Sequence, residues 1–172
     1  MRLKQNKNSG FSLIELMVVV AILGIVAVGM SVLVLSTSSY RQKQTVQEIS
    51  SSLSETRVQA LSKSNAWMEI KQNTDGSYVI STSYAGDVIL TKDCTIGYTK
   101  EGDAAVVPIS MSNSLILTYD RSTGGFADIK TRNADNSLSG TGAYCESITV
   151  SKGSKALVIT LYKETGKHKC ED

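Results

Sequence analysis

Histidine, proline and aromatic residues are scarce in this chain of 172 residues, which has one histidine, one proline and 6% aromatic residues. The single histidine, His168, lies in a charged terminal segment and supports neither a Ser-His-Asp arrangement nor a histidine-rich metal site. The serines and threonines are abundant but lack nucleophile-elbow spacing. We therefore expect no enzymatic activity, no cofactor and no metal site.

Charge and cysteine content exclude further classes of site. A net charge of +2, with 20% charged residues, gives no indication of a polyanionic partner. Cys94, Cys145 and Cys170 lack the close Cys-x-x-Cys spacing of redox and zinc sites. In an exported protein they allow three alternative single disulfides. We favour Cys145–Cys170, which would tie the chain end to a sheet; three buried free thiols are the alternative.

A nearly unbroken apolar run extends from Phe11 to Leu35. As a helix it would be about 37 Å long, which exceeds the ~30 Å hydrocarbon core of a bilayer. The run is also too long for a cleaved secretory peptide, whose apolar region has about 7–15 residues. Arg2, Lys4 and Lys7 precede the run, so we expect a cytoplasmic N-terminus and a remainder that faces outward.

One carboxylate, that of Glu15, interrupts the apolar run. A carboxylate near the bilayer interior costs about 2.5–3.5 kcal/mol on insertion scales, so it usually has a partner and a function. Gly10, a small residue at a candidate cleavage point, lies just before the run. A plain membrane anchor would need neither feature.

The stretch from Gly10 to Ile25, GFSLIELMVVVAILGI, resembles the class III signal of type IV pilins and type II secretion pseudopilins. The resemblance implies cleavage after Gly10 by the prepilin peptidase/N-methyltransferase and N-methylation of Phe11. It also implies an assembly contact between Glu15 and the N-terminal amine of a neighbouring subunit. The implied partners are other pilin or pseudopilin subunits, the inner-membrane assembly platform and, before assembly, membrane lipid. The implied location is the inner membrane, as a single-pass protein, and then the pilus or pseudopilus.

The helix is predicted to continue beyond the apolar run to about residue 64. An amphipathic spacing is shared by Val46, Ile49, Leu53, Ala60 and Leu61. The other faces would carry Glu48, Ser52, Glu55, Gln59 and Lys63. The predicted parts are a leader at 1–10, a transmembrane and assembly helix at 11–35, its amphipathic continuation at 36–64 and a globular head at 65–172.

The pattern changes to a period of two after residue 65, which predicts β-strands. Trp67–Lys71 and Ser77–Ser81 alternate around the turn Asn73–Gly76, a hairpin pattern. Further strands are predicted at 87–90, 115–119, 125–130, 147–150 and 156–161, with a last short strand running to Cys170, and 132–142 is predicted to be a surface loop. The expected fold is α+β, a long N-terminal helix packed on a small antiparallel β-sheet head.

The end of the helix and the first hairpin resemble the GspH/FimT group of minor pseudopilins and pilins. That group has a helix-end pattern that Arg57 and Ala60 match, while Asn65 falls one position late. It also has a strand with an aromatic residue before a glycine, as in Tyr119 to Gly124.

The same group ends in a hydrophobic strand, a Gly-Arg turn and a closing strand. Here Gly166 matches the glycine, but Lys167 stands where arginine is usual. The resemblance implies a minor pilin or pseudopilin.

Basic residues in the second half of the chain are scattered: Lys100, Arg121, Lys130, Arg132, Lys152, Lys155, Lys163, Lys167 and Lys169. We interpret them as solvated, because acidic residues nearly balance them and the aromatic residues do not interleave with them. A DNA-contacting tip is the alternative, since some FimT-like minor pilins serve DNA uptake. The loop Arg132–Asn136 lacks the EF-hand pattern of a calcium site, so we interpret it as a polar turn.

The sequence therefore predicts a structural subunit of a filament. Two alternatives remain. The chain could be a filament-tip binding module for DNA uptake or adhesion, or an unprocessed single-pass surface protein with a signal anchor.

Overall fold

A computed structural model describes residues 12–63 and 65–171, without the side chains of 27–38. The predicted leader at 1–10, Gly10 and Phe11 lie outside the described residues. The chain divides into two compact units, Met1–Ser39 and Tyr40–Asp172. No helix in the described part of the chain is long and apolar enough to cross a membrane.

The described residues form an α+β structure, with helix α1 (Leu13–Ser62) followed by strands in two antiparallel sheets. The strands are β1 (Trp67–Gln72), β2 (Tyr78–Thr82), β3 (Val88–Leu90), β4 (Thr95–Lys100), β5 (Val107–Pro108), β6 (Leu115–Thr118), β7 (Lys130–Arg132), β8 (Leu138–Gly140), β9 (Cys145–Lys152), β10 (Lys155–Tyr162) and β11 (Lys167–Glu171). The first sheet has the order β3-β2-β1-β6-β7-β8 and the second β11-β10-β9-β4-β5. The head thus has two sheets, where one was expected.

The helix and most of the predicted strands are confirmed to within a few residues. The strand predicted at 125–130 is wrong, because only Lys130 of that segment enters β7. The surface loop predicted at 132–142 is also wrong, because β7 and β8 pair there as a hairpin. Its turn places Asn136 at φ 65°, a left-handed conformation that asparagine tolerates.

Strands β4 and β5 were not predicted, and Gly97 in β4 shows why. Glycine is depleted in strands and weakens a strand pattern in the sequence. Here it is required, because a Cβ at Gly97 would lie 2.6 Å from Cγ1 of Val106 and 3.0 Å from the carbonyl oxygen of Val107. The close approach of β4 and β5 therefore explains why residue 97 is a glycine. The same glycine weakens the strand pattern of β4 in the sequence.

The second half of α1 packs its inner face on the core of the head. Val46, Ile49, Leu53 and Ala60 are buried as predicted. Leu61, predicted on this face, is 46% exposed, whereas Ser52, predicted on an outer face, is buried.

The buried face of α1 is also more polar than the predicted stripe, since it includes Gln42, Thr45, Ser52 and Thr56. Gln42 Nε2 donates to the carbonyl oxygens of Val150 and Lys155, at 2.8 and 3.2 Å. Thr45 and Thr56 donate to helix carbonyl oxygens four residues earlier. These bonds satisfy polar groups that would otherwise be costly to bury.

All three cysteines are free, so the Cys145–Cys170 disulfide that we favoured is absent. Ile159 in β10 pairs with Cys170 on one side and with Ile148 on the other. Cys145 therefore lies two strands from Cys170, about 10 Å across the sheet, which exceeds the ~7 Å limit between bridged Cα atoms. The alternative of three buried free thiols is only partly right, because Cys170 is exposed.

Candidate functional site

The first turn of α1 holds the carboxylate that the sequence singles out. Ser12 precedes the helix, and its Oγ accepts a hydrogen bond from the backbone N–H of Glu15 at 3.3 Å. The backbone N–H of Leu16 bonds to the carbonyl oxygen of Ser12 at 3.2 Å. Ser12 is thus the N-cap and Glu15 the third helical residue, the two key positions of the S-x-x-E capping box.

This cap is a feature that our sequence reasoning missed, although the pattern Ser12-Leu13-Ile14-Glu15 could have revealed it. A negative charge in the first helical turn is favourable, because it lies near the positive end of the helix dipole. Glu15 therefore stabilises the helix start within its own chain. That local role does not depend on any neighbour.

Apolar side chains around the whole circumference of the helix are exposed from Leu13 to Val26. They range from 47% exposed at Val26 to 79% at Leu13, and no described side chain in this segment is buried. A soluble surface helix would bury one apolar stripe. An apolar surface of this extent is typical of a segment that contacts lipid or other protein chains.

A second cluster lies at the C-terminal end of α1, where four residues of the motifs described above come together: Arg57, Tyr119, Gly124 and Gly166. Arg57 Nε donates to the carbonyl oxygen of Gly124 at 3.1 Å. A Cβ at Gly166 would overlap that same oxygen and lie 3.0 Å from Arg57 Nε. Tyr119, in the same motif as Gly124, donates its hydroxyl hydrogen to the carbonyl oxygen of Leu53 at 2.9 Å. These residues join three separate segments at one junction, so their shared role is structural.

The structure also brings together Ser50 and the lone histidine. Ser50 Oγ lies 2.5 Å from Nε2 of His168, and burial lowers the pKa of His168. No described residue bonds to the other ring nitrogen, which a catalytic triad would require to orient the ring. The pair ties β11 to α1; the absence of enzymatic activity stays a prediction.

The basic residues of the head mostly have partners of their own. Ion pairs to carboxylates are formed by Lys130, Arg132, Lys152, Lys163 and Lys169. Aromatic residues that do not interleave with basic residues in the sequence nevertheless contact them in the folded head. Arg132 lies 4.7 Å from the centre of the Trp67 ring, and Lys163 lies 3.6 Å from that of Tyr144.

Comparison with known proteins finds one family model. Residues 5–31 match the family described as the prokaryotic N-terminal methylation motif. The chain carries a type IV pilin-like methylation motif. No curated protein and no solved structure matches the chain.

The methylation motif covers both Gly10 and Phe11 as well as the described cap at Ser12 and Glu15. It implies processing by prepilin peptidase and assembly with other pilins. Its described part includes the exposed apolar segment of α1, 13–26.

Proposed function

We propose that this chain is a minor pilin or pseudopilin, a structural subunit of a type IV pilus or a type II secretion pseudopilus. Prepilin peptidase cuts after Gly10, and Phe11 becomes the methylated N-terminus. The observation that carries the proposal is the methylation motif at residues 5–31, whose described part includes a helical segment, 13–26, in which the apolar side chains are exposed. Before assembly this segment is solvated by the inner membrane, with the head outside the cytoplasm. In the filament, neighbouring helices replace the lipid.

In this proposal Glu15 has two successive roles. Within the subunit it lies in the capped first turn of α1. In the filament it meets the methylated amine of the adjacent subunit. Desolvation cancels much of the attraction between two buried opposite charges, so the pair contributes mainly to the stagger between subunits. Subunits joined by non-closing contacts form an open filament.

Placement in the GspH/FimT group is the finer part of the proposal. It is supported by the junction at which Arg57, Gly124 and Gly166 meet, because three short motifs far apart in sequence converge there.

Two measurements test this function. Mass spectrometry of the mature N-terminus should find methylated Phe11, whereas retained Met1 would favour the unprocessed signal anchor. In cells, Glu15→Ala should leave cleavage and membrane insertion intact but abolish incorporation into filaments. Glu55→Ala, which removes an exposed carboxylate from the same helix, is the matched control and should assemble normally. Normal incorporation of the Glu15 variant would reject the assigned contact.

A further inference from the structure

Basic side chains cluster at the end of the head unit, Tyr40–Asp172, where its chain begins. Arg41 Nη1 lies 2.7 Å from Oδ2 of Asp93, and Lys152 Nζ lies 3.8 Å from the same oxygen. Arg41 belongs to α1, whereas Lys152 is the last residue of β9. Two distant segments thus bring their positive charges to one carboxylate.

The turn between β9 and β10 lies at this same end of the head. Lys152 and Lys155 are paired across the hairpin. The carbonyl oxygen of Lys155 accepts a hydrogen bond from Gln42 Nε2 at 3.2 Å, so the turn lies beside α1. Lys155 is exposed, and so is Lys92, which directly precedes Asp93. We call this group of residues the basic end: Arg41, Lys43, Lys92, Lys152 and Lys155.

Carboxylates compensate the basic end only in part. Asp93 is shared between two of its members. Hydrogen bonds from Ser77 lower the pKa of Asp75, and the charge of Lys92 adds a smaller effect in the same direction, so Asp75 lies near Lys92. The basic residues outnumber these two carboxylates. The surface therefore keeps a net positive charge that attracts anions.

Two large side chains with apolar surface are exposed beside the basic end. Ile89 of β3 is 75% exposed, and it lines one groove together with Arg41. Tyr40 is 70% exposed and directly precedes Arg41 in the chain. Tyrosine is enriched at membrane–water interfaces, because its ring is apolar and its hydroxyl is polar. Cations combined with exposed apolar side chains are typical of surfaces that lie on a bilayer.

The sequence keeps the basic end close to the apolar run. Leu35 ends that run, and residues 36–39 are all that separate it from Tyr40. Even a fully extended chain would place Leu35 and Tyr40 at most about 18 Å apart. The polar headgroup region is about 5–8 Å deep on each side of the hydrocarbon core. When a bilayer surrounds the apolar run, the basic end is therefore within reach of the headgroups.

This short connection favours lipid over other anionic partners. Anionic headgroups attract basic residues that lie next to a membrane span. The attraction acts within about one Debye length, about 8 Å at physiological ionic strength. A nucleic acid or an acidic protein would have to compete with headgroups that the chain itself holds beside the basic end.

We propose that, before assembly, the basic end docks on anionic phospholipid headgroups of the inner membrane. The phosphates lie against Arg41, Lys92 and Lys155, while Tyr40 and Ile89 reach the boundary of the acyl chains. This inference rests on the proposed function, because it requires a membrane around the apolar run. The contact holds the head at the membrane and is broken when the subunit enters a filament.

The test compares the reactivity of lysines in nanodiscs that each hold one copy of the full chain. The discs contain phosphatidylcholine alone or phosphatidylcholine mixed with phosphatidylglycerol. A neutral acylating reagent is used, and mass spectrometry follows each lysine. We expect Lys155 to react about threefold or more slowly in the discs with phosphatidylglycerol, because headgroup phosphates cover its amine.

Lys167 is the matched internal control for Lys155. It is likewise exposed. It pairs with Tyr162, which lies at the opposite end of β10 from Lys155, about 23 Å along the strand. Its rate should be the same in both kinds of disc. High salt should also abolish the protection of Lys155, because it screens the attraction.

A double variant, Arg41→Gln with Lys92→Gln, removes two charges from the basic end and leaves Lys155 as the reporter. Lys155 should then react at nearly equal rates in both kinds of disc. The control is Lys100→Gln with Arg121→Gln, which removes two charges near the opposite end of the head and should keep the protection. Both variants should melt within a few degrees of the wild type, since exposed charges contribute little to stability.

Four outcomes would overturn the proposal: equal rates at Lys155 in the two kinds of disc, equal slowing at Lys167, protection that persists in Arg41→Gln with Lys92→Gln, or protection only in discs prepared with two copies. The last would assign the basic end to a neighbouring subunit. Entry into discs of pure phosphatidylcholine tests the proposed function separately. Failure to enter would reject the membrane step itself, whereas entry without protection of Lys155 would reject only the docking.

Discussion

The hydroxyl of Tyr119 donates a hydrogen bond of 2.9 Å to the carbonyl oxygen of Leu53, which lies 66 positions earlier in the chain. This bond joins the residue directly after β6 to the middle of the head-bound part of α1. The ring of Tyr119 also packs on Phe126, with ring centres 4.6 Å apart. One side chain thus combines a buried hydrogen bond with aromatic packing.

Tyr119→Phe isolates the hydrogen bond, because it keeps the ring. We expect the free energy of unfolding to fall by about 1 kcal/mol. Tyr162→Phe is the control; its residue is 46% exposed, and it should change stability by less than about 0.5 kcal/mol. Urea unfolding followed by the fluorescence of the single tryptophan, Trp67, measures both. Equal effects of the two substitutions would contradict the role of the Leu53 contact.

Gly166→Ala tests the junction with Arg57 and Gly124. Gly166 has φ 62°, and a Cβ there would overlap the carbonyl oxygen of Gly124. Gly153 has nearly the same φ, 59°, but no atom lies within 4 Å of a Cβ built there. Gly153→Ala should therefore cost only the strain of a left-handed residue, about 1–2 kcal/mol.

Gly166→Ala should cost at least about 2 kcal/mol more than Gly153→Ala, because the overlap forces the backbone to move. The same unfolding experiment compares the two variants. If the two variants lose equal stability, the close approach of Gly166 to Gly124 has no effect on the free energy of unfolding.

Stability should decline at alkaline pH because of Cys145. Burial raises the pKa of its thiol from 9.0 to about 12 in the folded state. The folded protein therefore keeps a proton that the unfolded chain releases. The thiol's contribution to stability is complete below pH 9.0 and is lost as pH rises toward 12, by up to about 1.4 kcal/mol per pH unit.

Cys145→Ala should remove this loss. Under reducing conditions, the difference in unfolding free energy between the wild type and this variant should shrink from pH 8.5 to pH 10.5. Cys170→Ala is the matched control, because Cys170 is exposed. A difference that is constant with pH for Cys145→Ala would reject the explanation.

Ser12→Ala tests the cap of α1. Loss of an N-cap side chain costs about 1 kcal/mol, so exchange of the Glu15 amide hydrogen should accelerate about fivefold. Ser12→Asp should restore slow exchange, because aspartate caps as well as serine. Ser54→Ala, at an exposed serine of the same helix, should leave the rate unchanged. Equal rates in wild type and Ser12→Ala would show that the cap does not hold the first turn.

Local sequence patterns predicted much of this fold, because many of its elements depend on residues that are close together in the sequence. The helix followed from its apolar run and stripe, and the β1–β2 hairpin from its turn residues. Pairing between distant strands was not predictable in the same way. The partner of β4 is β9, and the Gly97 that allows β5 to approach looks like a strand breaker in the sequence.

The candidate sites show the same contrast between local features, which were predictable, and contacts between distant segments, which were not. Glu15 could be found because one charge in an apolar run is visible locally. The contact of Arg57 with Gly124 and Gly166 could not, because the three residues come together only when the head has folded. The polar inner face of α1 was likewise not predictable. Gln42 can be buried there only because its side chain donates hydrogen bonds to the carbonyl oxygens of Val150 and Lys155.

Those bonds of Gln42 have a mechanical consequence. A tension along α1 would act in shear on three ties at different levels of the helix: Gln42 to Val150, Leu53 to Tyr119 and Arg57 to Gly124. A slip by one helical turn, about 5.4 Å, would break all three together. The three hydrogen bonds therefore bear the force together, and the head resists sliding along its helix more strongly than any one of them would allow.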